Sequence, residues 1–288
     1  MRFVALGDST TVGLGDPLPG GGWRGWANLL ATAMDATFVN VAVNGATCAD
    51  VSGRQLESAL VQRPQIASVL VGVNDTLRGN FRPEVSARHL ERTVAELRRA
   101  GAVVLTARMP DPGKMLSLPS ALARPLARRI AEVNAAVDEI ARRYGTVHLD
   151  LAGDPRAYKR PLWSVDRLHP SEVGHRHIAV EYATALTARG IAVPGHLTTD
   201  PSGGALVTRR GQIWWLATRG TAWIIARSHD LVPQLAGLAV REIWSDVRLR
   251  FGGRPSPAAP SCVAEWLSPM PTELAPGDDD LAASPNAA

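Results

Sequence analysis

Short apolar runs alternate with longer amphipathic stretches over the first two thirds of the chain, and this alternation limits the fold more than any other feature. The runs are rich in β-branched residues and bounded by turn residues, which predicts the strands Arg2–Leu6, Phe38–Val43, Ser68–Val73, Ala102–Ala107 and Val147–Leu151. The stretches between them carry apolar residues three and four positions apart. This spacing predicts helices at Trp23–Met34, Glu84–Ala100, Ser120–Tyr144 and from Ser171 to about Ala188, and it leaves room for a short helix at 51–62.

Parallel strands joined by helices fix most of the topology. Each strand–helix–strand connection is a right-handed crossover, and the helices then cover both faces of the sheet. The sequence therefore predicts an α/β fold, a three-layer α/β/α sandwich with a five-stranded parallel sheet in a flavodoxin-like order. The pattern breaks at Pro194-Gly195 and again at Asp200-Pro201, so the predicted domain covers residues 1–194.

Composition is typical of a soluble globular protein. Of the 288 residues, 45% are hydrophobic and 20% are charged, and no uncharged apolar run reaches the roughly 18 residues of a membrane-spanning helix. Cys48 and Cys262 make neither a disulfide framework nor a metal-ligand spacing. The first strand begins at Arg2, which leaves no room before it for a cleaved secretory signal. We therefore expect a cytoplasmic protein without a bound metal, and we interpret the basic stretch 205–254 as a solvated surface that binds no nucleic acid.

Four polar patches follow predicted strands or lie in the matching loop, where open α/β sheets place their ligands. They are Gly7-Asp8-Ser9, Asn44-Gly45, Gly72-Val73-Asn74-Asp75 and Asp166-Arg167-Leu168-His169. Each patch alone has a structural explanation, since Ser9 would cap the next helix, the glycine patches would be turns and a His-Pro pair before a helix is common. Together they supply every group that acyl transfer needs, and coincidence explains the set poorly.

The predicted roles follow from the chemistry of each side chain. Serine is a weak nucleophile unless a base lies within hydrogen-bond reach, and His169 would be that base for Ser9. Asp166 would hold the imidazole in the required tautomer and stabilise its charged form. The backbone N–H groups of Ser9 and Gly45 and the Asn74 side-chain amide would bind the oxyanion. The sequence thus predicts a nucleophile, a base with its orienting carboxylate, and an oxyanion hole.

These motifs resemble the SGNH hydrolase superfamily, also called GDSL-type esterases and lipases. That family is defined by a serine in Gly-Asp-Ser, a glycine, an asparagine in Gly-x-Asn-Asp and a histidine in Asp-x-x-His, which the four patches match over roughly residues 1–190. Thr10 departs from the leucine in the family's common name. The resemblance implies a three-layer fold without metal or organic cofactor, with catalytic residues Ser9, Asp166 and His169 and an oxyanion hole of Ser9, Gly45 and Asn74.

The leading hypothesis is a serine hydrolase that cleaves an acyl or acetyl ester of a small molecule or lipid through an acyl-enzyme. An acyltransferase or thioesterase of a biosynthetic pathway would use the same intermediate, so the sequence leaves that alternative open. A remoter one is a flavin- or phosphate-binding module, because Ser9–Gly13 is a hydroxyl-rich loop at the head of a flavodoxin-like sheet.

The candidates for the border of the site are Met109-Pro110, Trp23 and Trp26. His175 and the other histidines are interpreted as surface or packed residues.

Residues 195–268 form an extension rich in tryptophan and arginine, with five of the eight tryptophans of the chain. Helices are predicted in it at 212–227 and 231–250, and residues 269–288 are predicted to be a disordered tail because of their Gly, Pro, Ala and Ser content. Packing on the core or a second subunit is the favoured role of the extension, because buried tryptophans are commonest there. A lid over the site and contact with a membrane surface are the alternatives, and the membrane contact is not favoured. The sequence does not predict the oligomeric state.

Overall fold

The computed structural model of this protein describes residues 1–164, 166–201, Gly237, Val240 and 263–268. Its centre is a five-stranded sheet in the order β2-β1-β3-β4-β5, and every neighbouring pair of strands is parallel. The strands are β1 Arg2–Gly7, β2 Thr37–Asn40, β3 Ile66–Leu70, β4 Val103–Arg108 and β5 Val147–Asp150. This is the predicted flavodoxin-like order, so the predicted fold class is confirmed.

Helices connect the strands and flank the sheet. In chain order they are α1 Ser9–Val12, α2 Gly25–Ala33, α3 Cys48–Asp50, α4 Leu56–Val61, α5 Val73–Thr76, α6 Pro83–Arg99, α7 Pro112–Met115, α8 Ser120–Tyr144, α9 Glu172–Thr187 and α10 Val263–Trp266. A π-helical turn at Val51–Gln55 precedes α4, and 3₁₀ turns lie at Pro155–Tyr158 and Arg160–Leu162. The predicted long helices are therefore present, with ends that shift by two residues or fewer.

Two predicted strand ends are wrong. β2 stops at Asn40 and not at Val43, although the backbone N–H groups of Val41 and Val43 still donate to Ala5 and Gly7 at 3.0 and 3.2 Å. β3 ends at Leu70 because Val73 already begins the short helix α5. In both places the apolar run continues past the strand because Val41, Val71 and Val73 still pack in or against the core cluster of α6 and α8.

The apolar core lies on both faces of the sheet, and β1 contributes to each face through its alternating side chains. Val4 and Leu6 pack in a cluster with α6 and α8, whereas Phe3 and Ala5 pack in a cluster with α2 and α9. In the second cluster the rings of Trp26 and Tyr182 stack with centroids 5.1 Å apart. The sheet is thereby fixed between two helical layers, which makes its carboxyl edge a rigid platform.

Contacts with this core continue past the predicted boundary at residue 194. The Gly195 N–H donates to the Ala33 carbonyl at 2.8 Å, and Leu197 packs against the cluster of α2 and α9. Residues 263–268, here called the C-terminal segment, pack on α6 and α8, where Leu267 is buried. The domain boundaries themselves stay predictions. The predicted helices at 212–227 and 231–250 and the predicted tail at 269–288 lie outside the described residues, apart from Gly237 and Val240.

Within the described part of the chain, no helix combines the length and the apolar content that crossing a bilayer requires. The longest helix, α8, has 25 residues, and basic side chains run along it.

Candidate active site

The carboxyl end of the central strand β1 positions Ser9. A Cβ atom on Gly7 would collide with the Leu70 carbonyl oxygen, so only glycine allows β1 and β3 to lie this close before the turn. The Gln55 side-chain amide brackets Gly7, accepting from its N–H and donating to its carbonyl, both at 2.9 Å. Asp8 then caps α1 by accepting from the Thr10 N–H at 3.0 Å. Ser9 therefore opens α1 from a fixed backbone position.

The loop after β5 brings a histidine and an aspartate to this serine. His169 Nε2 lies 2.8 Å from Ser9 Oγ, and His169 Nδ1 lies 2.6 Å from Asp166 Oδ2. All three residues are largely buried. Because a carboxylate only accepts hydrogen bonds, the proton is on Nδ1 and Nε2 is left to accept from the serine hydroxyl. The arrangement can take the proton from Ser9 as its oxygen attacks an electrophile.

Asp166 is a buried carboxylate held by several donors. Its Oδ1 accepts from the Ser164 hydroxyl at 2.6 Å, from the Leu168 N–H at 2.9 Å and from the His169 N–H at 3.1 Å. Burial alone would raise the pKa of Asp166, but the hydrogen bonds from His169, Ser164 and Leu168 outweigh it and hold this pKa at about 2. The carboxylate is therefore charged at neutral pH, which orients and stabilises the imidazole.

Asn74, which follows β3, lines the same pocket as Ser9. Its side-chain amide donates to the Ala46 carbonyl at 3.0 Å and, more distantly, to Asp8 Oδ2 at 3.4 Å. Gly45 precedes Ala46 in a left-handed conformation with φ +77°. Within the described chain, neither the Ser9 N–H nor the Gly45 N–H has a hydrogen-bond acceptor. Asn74 is thus tied to the turn that holds Gly45, and two backbone donors near it are unused.

Asp75 fixes the chain just beyond that turn. Its carboxylate accepts from the Cys48 N–H at 3.1 Å and from the Ser86 hydroxyl at 3.0 Å. Burial raises the pKa of Asp75, and these donors oppose the shift. The Asn-Asp pair therefore connects the loops after β2 and β3, with the asparagine in the pocket and the aspartate behind it.

A pocket with a volume of about 60 Å³ opens beside Ser9. Its polar lining comes from Asp8, Ser9, Thr10, Asn74 and His177, and most of the remaining surface is apolar. The apolar lining residues are Val73, Met109, Pro110, Met115, Leu151, Ala157, Leu162, Trp163, Leu168, Pro170 and Ile178. The walls are braced from behind: Asn134 exchanges two hydrogen bonds with the Met109 backbone at 2.8 and 2.9 Å, and the Trp163 indole N–H donates to the Ala157 carbonyl at 2.6 Å.

The structure brings Ser9, Asp166, His169 and Asn74 together as the sequence predicted. Met109-Pro110 borders the pocket, but Trp26 is buried in the core and Trp23 is half exposed outside the pocket. Sequence reasoning missed the Ser164 hydroxyl and the wall around Trp163, which carry no motif. Among the described residues, no group of three His, Cys, Asp or Glu side chains is arranged to hold a metal ion.

Comparison with known proteins identifies the family. The profile of the GDSL-like lipase/acylhydrolase family matches residues 5–177, which include every predicted site residue. The chain belongs to this family. A GDSL-like esterase from Mycobacterium tuberculosis is 32% identical to this GDSL-like hydrolase over 225 residues, covering 71% of this chain and 68% of the relative. An acetylxylan esterase from Geobacillus stearothermophilus is 26% identical over 151 residues, covering 49% and 68%. The GDSL-like hydrolase is accordingly a carboxylic ester hydrolase.

Solved structures share the fold of the GDSL-like hydrolase at low sequence identity. An α/β hydrolase from the metagenome of Lake Arreo superposes with a TM-score of 0.54 at 20% identity, covering 65% of this chain and 94% of that chain. A lipase/acylhydrolase from Enterococcus faecalis gives 0.52 at 20% identity, covering 70% and 100%. At such identities the likeness concerns the fold alone.

Proposed function

We propose that this GDSL-like hydrolase cleaves esters of short aliphatic acids through an acyl-enzyme formed on Ser9. The observation that carries the proposal is the unbroken hydrogen-bonded series from Asp166 through His169 to Ser9, with distances of 2.6 and 2.8 Å. Serine and histidine in hydrogen-bond contact, with the base oriented by a third group, are the arrangement that activates a hydroxyl nucleophile.

The chemistry runs in two halves. Ser9 Oγ attacks the ester carbonyl carbon while its proton passes to His169 Nε2, and Asp166 stabilises the resulting imidazolium. When the tetrahedral intermediate collapses, the imidazolium gives that proton to the leaving alcohol and Ser9 carries the acyl group. A water molecule then loses a proton to the same imidazole and attacks the acyl carbon. The acid leaves, and the proton returns to Ser9.

The charge that develops on the carbonyl oxygen needs donors placed in advance. The unused N–H groups of Ser9 and Gly45 and the amide of Asn74 are assigned this role. One such donor typically contributes about 3 kcal/mol to transition-state stabilisation. Asn74 lines the pocket beside Ser9, and of its amide hydrogen bonds to Ala46 and Asp8 the longer one, to Asp8 Oδ2 at 3.4 Å, is the one that the oxyanion would replace.

The pocket supports an aliphatic acyl group. Its lining is mostly apolar, and its volume is only about 60 Å³. A small apolar pocket favours short acyl chains such as acetyl to butyryl over long fatty chains. The likeness to an acetylxylan esterase supports a short acyl group. In solved structures of an acetylxylan esterase from Geobacillus stearothermophilus, catalytic mutants replace a serine, an aspartate and a histidine.

A phosphate- or flavin-binding loop fits this geometry poorly. The N–H of Thr10, which would face a phosphate, already donates to the Asp8 carboxylate. A phosphate at this N–H would also lie against the Asp8 carboxylate that it is bonded to, and two acidic groups in contact repel each other. No observation favours that alternative over ester cleavage.

The test measures hydrolysis of p-nitrophenyl acetate, butyrate and decanoate by the full chain. We expect turnover of the two short esters, little of decanoate, and a mass increase of one acyl group on Ser9 after rapid acid quenching. Ser9→Ala is expected to lower kcat by about 10⁴-fold or more, whereas Ser120→Ala, an exposed matched control, leaves it unchanged. Full activity of Ser9→Ala would refute the mechanism, and preference for decanoate would refute the acyl range. Product analysis with a competing alcohol separates hydrolysis from acyl transfer.

A further inference from the structure

His175 lies outside the four motifs, yet both of its ring nitrogens are committed. The side chain is on the first turns of α9 and is fully buried. Nδ1 accepts from the Trp26 backbone N–H at 3.2 Å, and Nε2 donates to the Leu14 carbonyl at 2.9 Å. A backbone N–H only donates and a carbonyl only accepts, so these partners require the neutral imidazole with its proton on Nε2. Burial lowers the pKa of His175 to about 4, which agrees with that form.

The Leu14 peptide unit links this imidazole to the nucleophile. The Leu14 N–H donates to the Ser9 carbonyl at 3.1 Å, and the Gly13 N–H donates to the same oxygen at 3.1 Å. Leu14 thus receives a hydrogen bond from α9 at its carbonyl and gives one to Ser9 at its N–H. The backbone of Ser9 is therefore held from α9 through a single intervening residue.

The same turn touches the loop that carries the base. A Cβ on Gly15 would overlap the carbonyl oxygen of Pro170, which follows His169 directly. The turn of residues 13–15 therefore lies against the base loop on one side and is hydrogen-bonded to His175 on the other. This turn thus contacts both the segment that carries Ser9 and the loop that carries His169, whose Nε2 lies 2.8 Å from Ser9 Oγ.

We propose that His175 is a positioning residue for the ester hydrolysis, which sets the contact between Ser9 and His169 through the Leu14 peptide. The inference rests on the proposed function, because it assigns His175 no contact with substrate. Nucleophile and base must meet in a narrow geometry, and a displacement of about 1 Å can lower the rate by about 100-fold. His175 would hold that geometry at a distance from the reacting atoms.

Two substitutions at this one position separate positioning from simple packing. In His175→Gln the terminal amide nitrogen lies near the position of Nε2 and still donates to the Leu14 carbonyl. In His175→Asn the shorter side chain places its oxygen near Nδ1, so the bond from Trp26 stays and the bond to Leu14 is lost. We expect His175→Asn to lower kcat on the order of tenfold with KM unchanged, and His175→Gln to keep kcat within about threefold. Labelling of Ser9 by a fluorophosphonate should slow in parallel with kcat.

A second pair of variants tests the same turn without changing His175. Gly15→Ala pushes the turn away from Pro170 and is expected to lower kcat on the order of tenfold. Gly21→Ala is its matched control, because Gly21 has a similar φ of +92° against +101° but no neighbour within 4 Å of the added carbon. Gly21→Ala should therefore show comparable backbone strain and unchanged kcat.

Each outcome decides the inference. It is overturned if the two His175 variants lose kcat equally, or if kcat follows the melting temperature across all four variants. If His175→Asn does not fold, the Gly15→Ala and Gly21→Ala pair decides, and equal kcat in these two variants overturns the inference. Failure of the proposed function is seen separately, as wild-type protein that neither hydrolyses the short esters nor is labelled at Ser9.

Discussion

Two buried carboxylates at different places in this molecule have similar surroundings and different chemistry. Asp166, at the carboxyl edge of the sheet, accepts from His169 Nδ1 at 2.6 Å, from the Ser164 hydroxyl at 2.6 Å and from the Leu168 N–H at 2.9 Å. Glu91, on α6 and bonded to the end of α8, has a similar number of donors. It accepts from the Ser268 N–H at 2.7 Å, the Tyr144 hydroxyl at 3.3 Å and Arg143 Nη1 at 3.5 Å.

The difference lies in the partner of each carboxylate. Asp166 is bonded to an imidazole, a side chain that can take up and release a proton in catalysis, and the other ring nitrogen reaches Ser9. Glu91 is bonded to the guanidinium of Arg143 and to the hydroxyl of Tyr144, whose pKa is raised to about 12 by burial and by the neighbouring Glu91. A buried, well-bonded carboxylate is therefore a structural clamp for the C-terminal segment in one region and part of a proton-transfer site in the other. Burial alone does not identify an active site.

The largest effect is expected from neutralising each carboxylate in turn. Asp166→Asn keeps the size of the side chain but favours the wrong imidazole tautomer, and kcat should fall by about 10⁴-fold. Glu91→Gln should leave kcat within about twofold and lower the free energy of unfolding by about 1–3 kcal/mol, since its donors lose a charged acceptor. Steady-state kinetics of both variants measures kcat, and urea denaturation measures the free energy of unfolding. Equal losses of kcat in the two variants would remove the distinction between the regions.

The next effect concerns stability alone. Leu267 in the C-terminal segment is 7% exposed and packs with α6 and α8, so Leu267→Ala should lower the free energy of unfolding by about 3 kcal/mol. The activity at 25 °C should be unchanged, because the segment packs away from the carboxyl edge that holds Ser9. Val61→Ala is the control, since Val61 is 78% exposed and its loss should cost less than about 0.5 kcal/mol. A fall in kcat for Leu267→Ala would connect the C-terminal segment to the site.

Local patterns in the sequence predicted the first of these regions and not the second. Periodicity predicted the helix Ser120–Tyr144 with its observed ends, although it did not predict the contacts of that helix with Glu91. Parallel strands bring the ends of β1 and β3 to one edge, so Ser9 and Asn74 were predicted to lie together there. Asp166 and His169 lie in the loop beyond β5, and they were predicted from the chemistry of the four patches taken together and from the Asp-x-x-His motif.

What the sequence did not reveal depends on contacts between distant segments. The bond between Ser268 and Glu91 spans 177 positions, and no periodicity marks either partner. Ser164 carries no sequence signal of its role, because its hydroxyl contacts Asp166 only in the folded turn. His175 lies in no motif and was interpreted as a surface or packed residue. Its two partners are backbone atoms, which sequence patterns do not show.

The smallest expected effect comes from a third buried carboxylate, which has fewer donors. Asp8 accepts from the Thr10 N–H at 3.0 Å and from Asn74 at 3.4 Å, and burial raises its pKa from 3.8 to about 6. As pH rises from about 4 to 6, the unfolded chain loses this proton before the folded chain does, so stability falls across that window by about 3 kcal/mol and is constant above it. Asp8→Asn cannot ionise. Its free energy of unfolding at pH 8 should therefore exceed that of wild type by about 2 kcal/mol. This is the roughly 3 kcal/mol that ionisation costs the wild type, less about 1 kcal/mol for the lost contact with Asn74.

The measurement is urea denaturation of wild type and Asp8→Asn at pH values from 4 to 8, read as the difference in unfolding free energy. That difference should rise up to about pH 6 and then stay level, whereas Asp50→Asn provides a contrast. Hydrogen bonds from Thr47 lower the pKa of Asp50. The ionised side chain therefore stabilises the fold in full at any pH above the pKa that Asp50 has in the unfolded chain, and the stability lost in Asp50→Asn should be constant from pH 5 to 8. A level difference for Asp8→Asn as well would mean that Asp8 ionises at its ordinary pKa. Donor number would then not explain how the buried carboxylates of this site differ.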